Sequence, residues 1–102
     1  MNTKNKYNIC SLERKYGRLT FSNFLISWRK SEDLSQVEFA KRLEISKANL
    51  CDLEKGRKKV SPERAAKIAR KLGLPPAGLI QLALQDMLDA QSLNYQVEVE
   101  AA

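Results

Sequence analysis

The sequence predicts an all-α domain of five helices followed by a short C-terminal β-strand. Apolar residues recur at helical spacing in successive segments from Thr20 onward. Each segment is bracketed by residues that start or stop helices, and a two-residue alternation occurs only after the last of them. The 102 residues, 43% of them hydrophobic, suffice for one modest core. Three parts are expected: a basic N-terminal arm at 1–19, a helical domain at 20–90 and a strand-forming tail at 91–102.

The arm is polar and basic, with Tyr7, Ile9, Leu12 and Tyr16 scattered through it and Gly17 near its end. Phe21, Phe24, Leu25 and Trp28 then form one helical stripe, with Thr20 as its N-cap. That helix fades through Ser31, Glu32 and Asp33. Ser35 opens the second helix, with Glu38 completing a capping box and Val37, Phe39, Ala40 and Leu43 as the inward face. Glu44, Ile45 and Ser46 make a tight connection, and Ser46 caps a third helix running to about Lys55. Ile45, Leu50 and Leu53 hold it to the core, which turns Lys47, Ala48, Cys51, Asp52 and Lys55 outward.

Gly56 stops the third helix where a positive φ is needed, and a basic loop of Arg57, Lys58 and Lys59 follows. Ser61 and Pro62 start the fourth helix, whose stripe is Ala65, Ile68, Ala69 and Leu72 before Gly73. Pro75 and Pro76 open the fifth. Its Leu79, Ile80, Leu82, Ala83, Leu84, Met87 and Leu88 span a wider apolar arc than a monomer of this size needs. Leu93, Tyr95, Val97 and Val99 alternate with Asn94, Gln96, Glu98 and Glu100, the period of a strand with one buried face.

The net charge of +6 is unevenly placed. Between Lys41 and Lys71 the basic residues are opposed only by Glu44, Asp52, Glu54 and Glu63, whereas after Leu72 there are Asp86, Asp89, Glu98 and Glu100 and no Lys or Arg. This division suits one surface for a polyanion and another for a different partner, the alternative being a lysine-rich surface that serves solubility. No histidine is present, and Cys10 and Cys51 lack CxxC spacing, so neither a zinc site nor a cofactor is expected. With no Ser/His or Cys/His pair and no Gly-rich phosphate loop, the chain does not read as an enzyme; Glu32 and Asp33 read as polar surface. Trp28 reads as core and Cys51 as a lone thiol. No apolar run of about 20 residues and no signal-peptide core after Met1 point to a cytoplasmic protein without a membrane partner.

Residues 34–57, LSQVEFAKRLEISKANLCDLEKGR, resemble the helix-turn-helix of the Cro and lambda-repressor family, also called XRE-like. The family pattern is matched at Ser35 and Gln36, Ala40, Ile45 and Ser46, Leu50, and Glu54 with Gly56, and the likeness extends over about Phe21 to Leu74. It implies a five-helix lambda-repressor-like domain acting as a sequence-specific transcriptional regulator, a repressor of double-stranded DNA targets. A small helical bundle of other purpose would not need Gln36, Glu54 and Gly56 together.

By this resemblance the third helix enters the major groove, with Ser46, Lys47 and Ala48 leading. Lys47 would donate to guanine, Ala48 would pack on a thymine methyl, and Asp52 would accept from cytosine N4 or pair with Lys55. Ala48 and Cys51 stand where family members usually carry more polar readers. Gln36 and Asn49 match phosphate-binding positions, Arg57, Lys58 and Lys59 would lie beside the DNA backbone, and Lys55 is a further DNA-binding residue on the outward face. Arg29 and Glu54 match a structural ion pair between the first and third helices.

A two-fold homodimer on a palindromic operator is expected through Leu79, Ile80, Leu84, Met87 and Leu88, assisted by Tyr95 and Val97 of the tail. The layout also resembles antitoxins of type II toxin–antitoxin modules. That likeness would make a RelE- or HigB-like ribonuclease toxin a further partner and the operon self-regulated.

Overall fold

The computed structural model describes residues 19–102. Of the arm expected at 1–19, residues 1–18, Cys10 included, lie outside the described residues. Five helices follow in order: α1 (Phe21–Ser31), α2 (Gln36–Leu43), α3 (Lys47–Glu54), α4 (Pro62–Leu72) and α5 (Pro76–Ala90).

Four of the helices begin on a hydroxyl. The Oγ1 of Thr20 accepts from Asn23 N at 3.0 Å, Ser46 Oγ from Asn49 N at 3.0 Å and Ser61 Oγ from Arg64 N at 3.1 Å. Ser35 and Glu38 complete both limbs of a capping box, at 3.1 and 2.9 Å. Only α5 starts without a side-chain cap bond, on Pro75 and Pro76. At the other ends Gly56 and Gly73 take φ of 74° and 72°, which glycine adopts without steric cost. Glu44 does the same work after α2 at φ 60° without that freedom. Lys71 steadies this corner from α4: its Nζ donates to Leu43 O at 2.9 Å and lies 3.4 Å from Glu44 Oε1.

Phe24, Leu25, Phe39, Leu43, Leu50 and Leu53 are fully buried where the first three helices meet. Trp28 stacks on Phe39 with centroids 5.5 Å apart, and the Arg42 guanidinium covers the indole at 5.0 Å. The extensive α4–α5 contact closes the other side with Ala65, Ile68, Ala69, Leu72, Leu79, Leu82 and Ala83. Asp86 Oδ2 accepts from Phe21 N at 3.0 Å, so α5 also tethers the start of α1.

Several expectations are corrected. Leu19, assigned to the arm, is core: it precedes the α1 cap and occupies the staple position relative to Phe24, which is also buried. Val37, assigned to the inward face of α2, is 47% exposed, because Phe39, Ala40 and Leu43 already fill that face. Leu79, expected in a dimer contact, is buried in this chain's own core.

The C-terminal strand is not formed. Residues 93–99 carry no regular secondary structure, and no strand is present among the described residues to pair with them. The tail is held along α5 by two glutamines one turn apart instead. Gln85 Nε2 donates to Tyr95 O at 2.7 Å, while Gln85 Oε1 accepts from Val97 N at 2.9 Å. Gln81 Oε1 accepts from Val99 N at 3.1 Å. The alternation still leaves a mark, since Val97 and Val99 are half-buried while Gln96, Glu98 and Glu100 are exposed.

Candidate nucleic-acid interface

The turn between α2 and α3 is tight because its backbone is bonded at both ends. Ile45 N donates to Ala40 O at 3.0 Å and Leu50 N to Ser46 O at 3.0 Å. Ile45 packs half-buried against the core at this corner, and Ala40 is buried beside it in sequence register. Leu50 and Leu53 then pin the inner face of α3. At its end Ser22 Oγ donates to Leu53 O at 2.7 Å, joining Gly56 N, which donates to the same carbonyl at 3.2 Å. With the inner side occupied, Lys47, Ala48 and Lys55 are exposed and Asn49, Cys51 and Asp52 half-exposed.

Glu54 is only 6% exposed. Arg29 reaches it with Nε to Oε2 at 2.8 Å and Nη2 to Oε1 at 3.1 Å, while Arg29 Nη1 donates to Leu34 O at 3.2 Å. A third donor, Gln36 Nε2, lies 2.9 Å from Glu54 Oε1. The carboxylate is therefore neutralised inside the domain and presents no charge to the outer face.

Gln36 is consequently turned toward α3. Its Nε2 serves Glu54 and its Oε1 accepts from Cys51 Sγ at 3.4 Å, which leaves one amide hydrogen for an outside group. Asn49 is engaged differently: its Oδ1 accepts from Lys58 Nζ at 2.7 Å, and its NH₂ keeps its donors. Asp52 pairs with the loop rather than with Lys55. Its Oδ1 accepts from Arg57 Nε at 3.0 Å, and its Oδ2 lies 3.6 Å from Lys58 Nζ. The Arg57 hydrogen bond, aided by the charges of Lys58 and Arg57, holds the Asp52 carboxyl below the usual aspartate range. Among the described residues no carboxylate pairs with Lys47, Lys55 or Lys59.

A family model described as helix-turn-helix matches residues 25–79, more than half of the chain. The chain belongs to the XRE-type helix-turn-helix family. No curated protein and no solved structure matches it. As a member of this family it carries a DNA-binding domain of transcription regulators. The XRE match takes in α2, the turn and α3, together with the α4 that braces them, and stops at the first turns of α5. No helix of the described residues is long and apolar enough to cross a membrane.

Sequence reasoning did not single out some residues that shape this XRE-type site. Ser22 and Lys71 cap the ends of α3 and α2 from distant helices. Neither has a local signal, because each acts across the tertiary fold. Gln81 and Gln85 did have one: amides at i and i+4 share a helix face.

Proposed function

We propose that this chain is a sequence-specific double-stranded DNA-binding transcriptional repressor, working in the cytoplasm as a two-fold dimer with α3 in the major groove. The observation that carries this reading is the sorting of charge on α3. Glu54 is withdrawn onto Arg29, while Lys47 stands exposed at the start of the helix, Lys55 at its C-cap and Lys59 just beyond it. A polyanion meets cations there, and Lys47 and Ala48 at the helix start are free to meet base edges. Ser46, Gln36, Asn49, Arg57 and Lys58 would set register on the phosphates.

Dimerisation would use Ile80, Leu84, Met87 and Leu88 of α5, all at least partly exposed, with Tyr95 and Val97 of the docked tail beside them. Leaving that apolar surface in water is unfavourable by about 25 cal/mol per Å². A two-fold pair would set the α3 helices about 34 Å apart, one turn of duplex. The test is selection from a random duplex library followed by titration. A palindromic motif bound in the high-nanomolar range or tighter, and weakened steeply by salt, is expected. Recovery of no motif would overturn the reading.

A second reading is favoured by the acidic tail, in which Glu98 and Glu100 are exposed on the segment held along α5. It makes the chain an antitoxin that neutralises a RelE- or HigB-like ribonuclease and represses its own operon. A small basic ribonuclease encoded beside it, co-purifying with it and losing toxicity in its presence, is the outcome that would favour this role.

A further inference from the structure

The loop after α3 folds back over the helix it leaves. Arg57 N donates to Asp52 O at 2.9 Å and Lys58 N to the same oxygen at 3.4 Å, a return made possible by Gly56 at φ 74°. The side chains repeat the pattern. Arg57 Nε meets Asp52 Oδ1 at 3.0 Å, and Lys58 Nζ lies 3.6 Å from Oδ2 while donating to Asn49 Oδ1 at 2.7 Å. Asn49 and Asp52 are three residues apart and so share the face of α3 onto which both cations are drawn.

This carboxylate has little to do for the fold. Its side chain is 29% exposed, and both cations are more than half exposed, the regime in which ion pairs contribute little to stability. It is also an acid on the face proposed to approach a polyanion, where an uncompensated negative charge is repelled. Its consequence lies in the state of Arg57 and Lys58. In the free protein these two share one carboxylate, which offsets one of their two charges, whereas Lys47, Lys55 and Lys59 have no carboxylate partner among the described residues.

We propose that Asp52 is a specificity-determining residue, an internal stand-in for DNA phosphate that holds Arg57 and Lys58 and suppresses their use on incorrect sequences. This rests on the DNA-binding reading above. Non-specific affinity comes almost wholly from cations replacing the counterions of phosphate. When Arg57 and Lys58 transfer to phosphates, Asp52 is left facing the duplex and must recruit a cation, which returns part of the gain. A site offering an amino donor, such as cytosine N4, satisfies the carboxylate instead and removes that penalty. The same acid thus weakens every wrong site and spares a right one, and specificity is the difference.

The experiment compares the full chain with Asp52→Asn and Asp52→Ala on two duplexes, the selected motif and a shuffled sequence, over a range of salt. On the shuffled duplex both variants should bind severalfold more tightly. The slope of log affinity against log salt should steepen by about 0.9, since the one cation that Asp52 takes up on binding is no longer needed. The preference for the motif should shrink. Unchanged affinity and slope on the shuffled duplex would overturn the proposal, as would an equal gain on both duplexes. A DNA-free measurement separates the contact from its role: the Asp52 titration midpoint, followed by NMR, should rise when Arg57 and Lys58 are replaced by alanine. No rise would show that the contact itself is absent. A rise, with no protein binding any duplex, would bring down the DNA-binding reading and with it the role assigned to Asp52.

Discussion

Arg29 grips Glu54 through two nitrogens, at 2.8 and 3.1 Å, across the junction of α1 with α3. Because Glu54 is buried, Arg29→Ala should cost roughly 3–5 kcal/mol, toward the lower end because Gln36 remains as a donor. Replacing both partners with methionine should recover much of that loss. Urea unfolding monitored through Trp28 would read both values, with an unchanged denaturant slope marking a pure stability effect. A cost below about 1 kcal/mol for Arg29→Ala would mean that the pair behaves as a surface contact.

Lys47→Ala and the Arg57→Ala/Lys58→Ala pair should fail in different ways. Loss of a base reader costs roughly 1–3 kcal/mol on the best site and relaxes discrimination at one or two positions of each half-site. Loss of the Arg57 and Lys58 phosphate contacts flattens the salt dependence without altering the motif selected, and it weakens the motif most, where Asp52 releases both cations. A Lys47→Ala protein that selects the original motif would remove Lys47 from the reading surface.

Acid sensitivity should carry a contribution from the α2 cap. Glu38 accepts from Ser35 N, and that bond, followed by its contact with the Ser35 side chain, holds its carboxyl below the ordinary 4.5. The unfolded chain therefore binds this proton more readily than the folded one. The stabilisation is fully present above pH 4.5 and is lost as pH falls through the lower folded value. Glu38→Gln should flatten stability against pH in that window and leave the slope above it unaltered. Unfolding curves at successive pH values would show it, and identical slopes would contradict the capping role.

The α5 surface can be tested without disturbing the core. Met87 is 40% exposed, so Met87→Glu should leave the helical signal intact while shifting light scattering from dimer to monomer. Leu84→Asp should act in the same direction, and both should weaken a palindrome far more than an isolated half-site. If the unaltered chain is already a monomer at micromolar concentration, this surface serves another partner.

Local chemistry made much of this domain readable in the sequence. Thr20, Ser35, Ser46 and Ser61 each open a helix, because a hydroxyl satisfies amides only two or three residues away. What depended on how distant parts meet was less accessible. Helical spacing offers Lys55 to Asp52, yet the turn at Gly56 delivers Arg57 and Lys58. Periodicity placed Leu79 in a broad apolar arc, but the packing of α5 on the helices before it decides which part of that arc is core. Likewise, alternation in residues 93–99 announces a two-sided segment without saying that glutamine side chains will take the place of a neighbouring strand.

The brevity of α3 has a consequence of its own. Eight residues make barely two turns, well short of the roughly 12–15 that an isolated helix needs to persist in water. Its shape is borrowed from Leu50, Leu53 and the Ser22 bond. A synthetic peptide copying residues 44–58 would accordingly be a coil, blind to base sequence however basic it is. Warming the intact domain should abolish recognition and tertiary order at a single temperature, so that any operator under its control is released at the melting point of the core and not before.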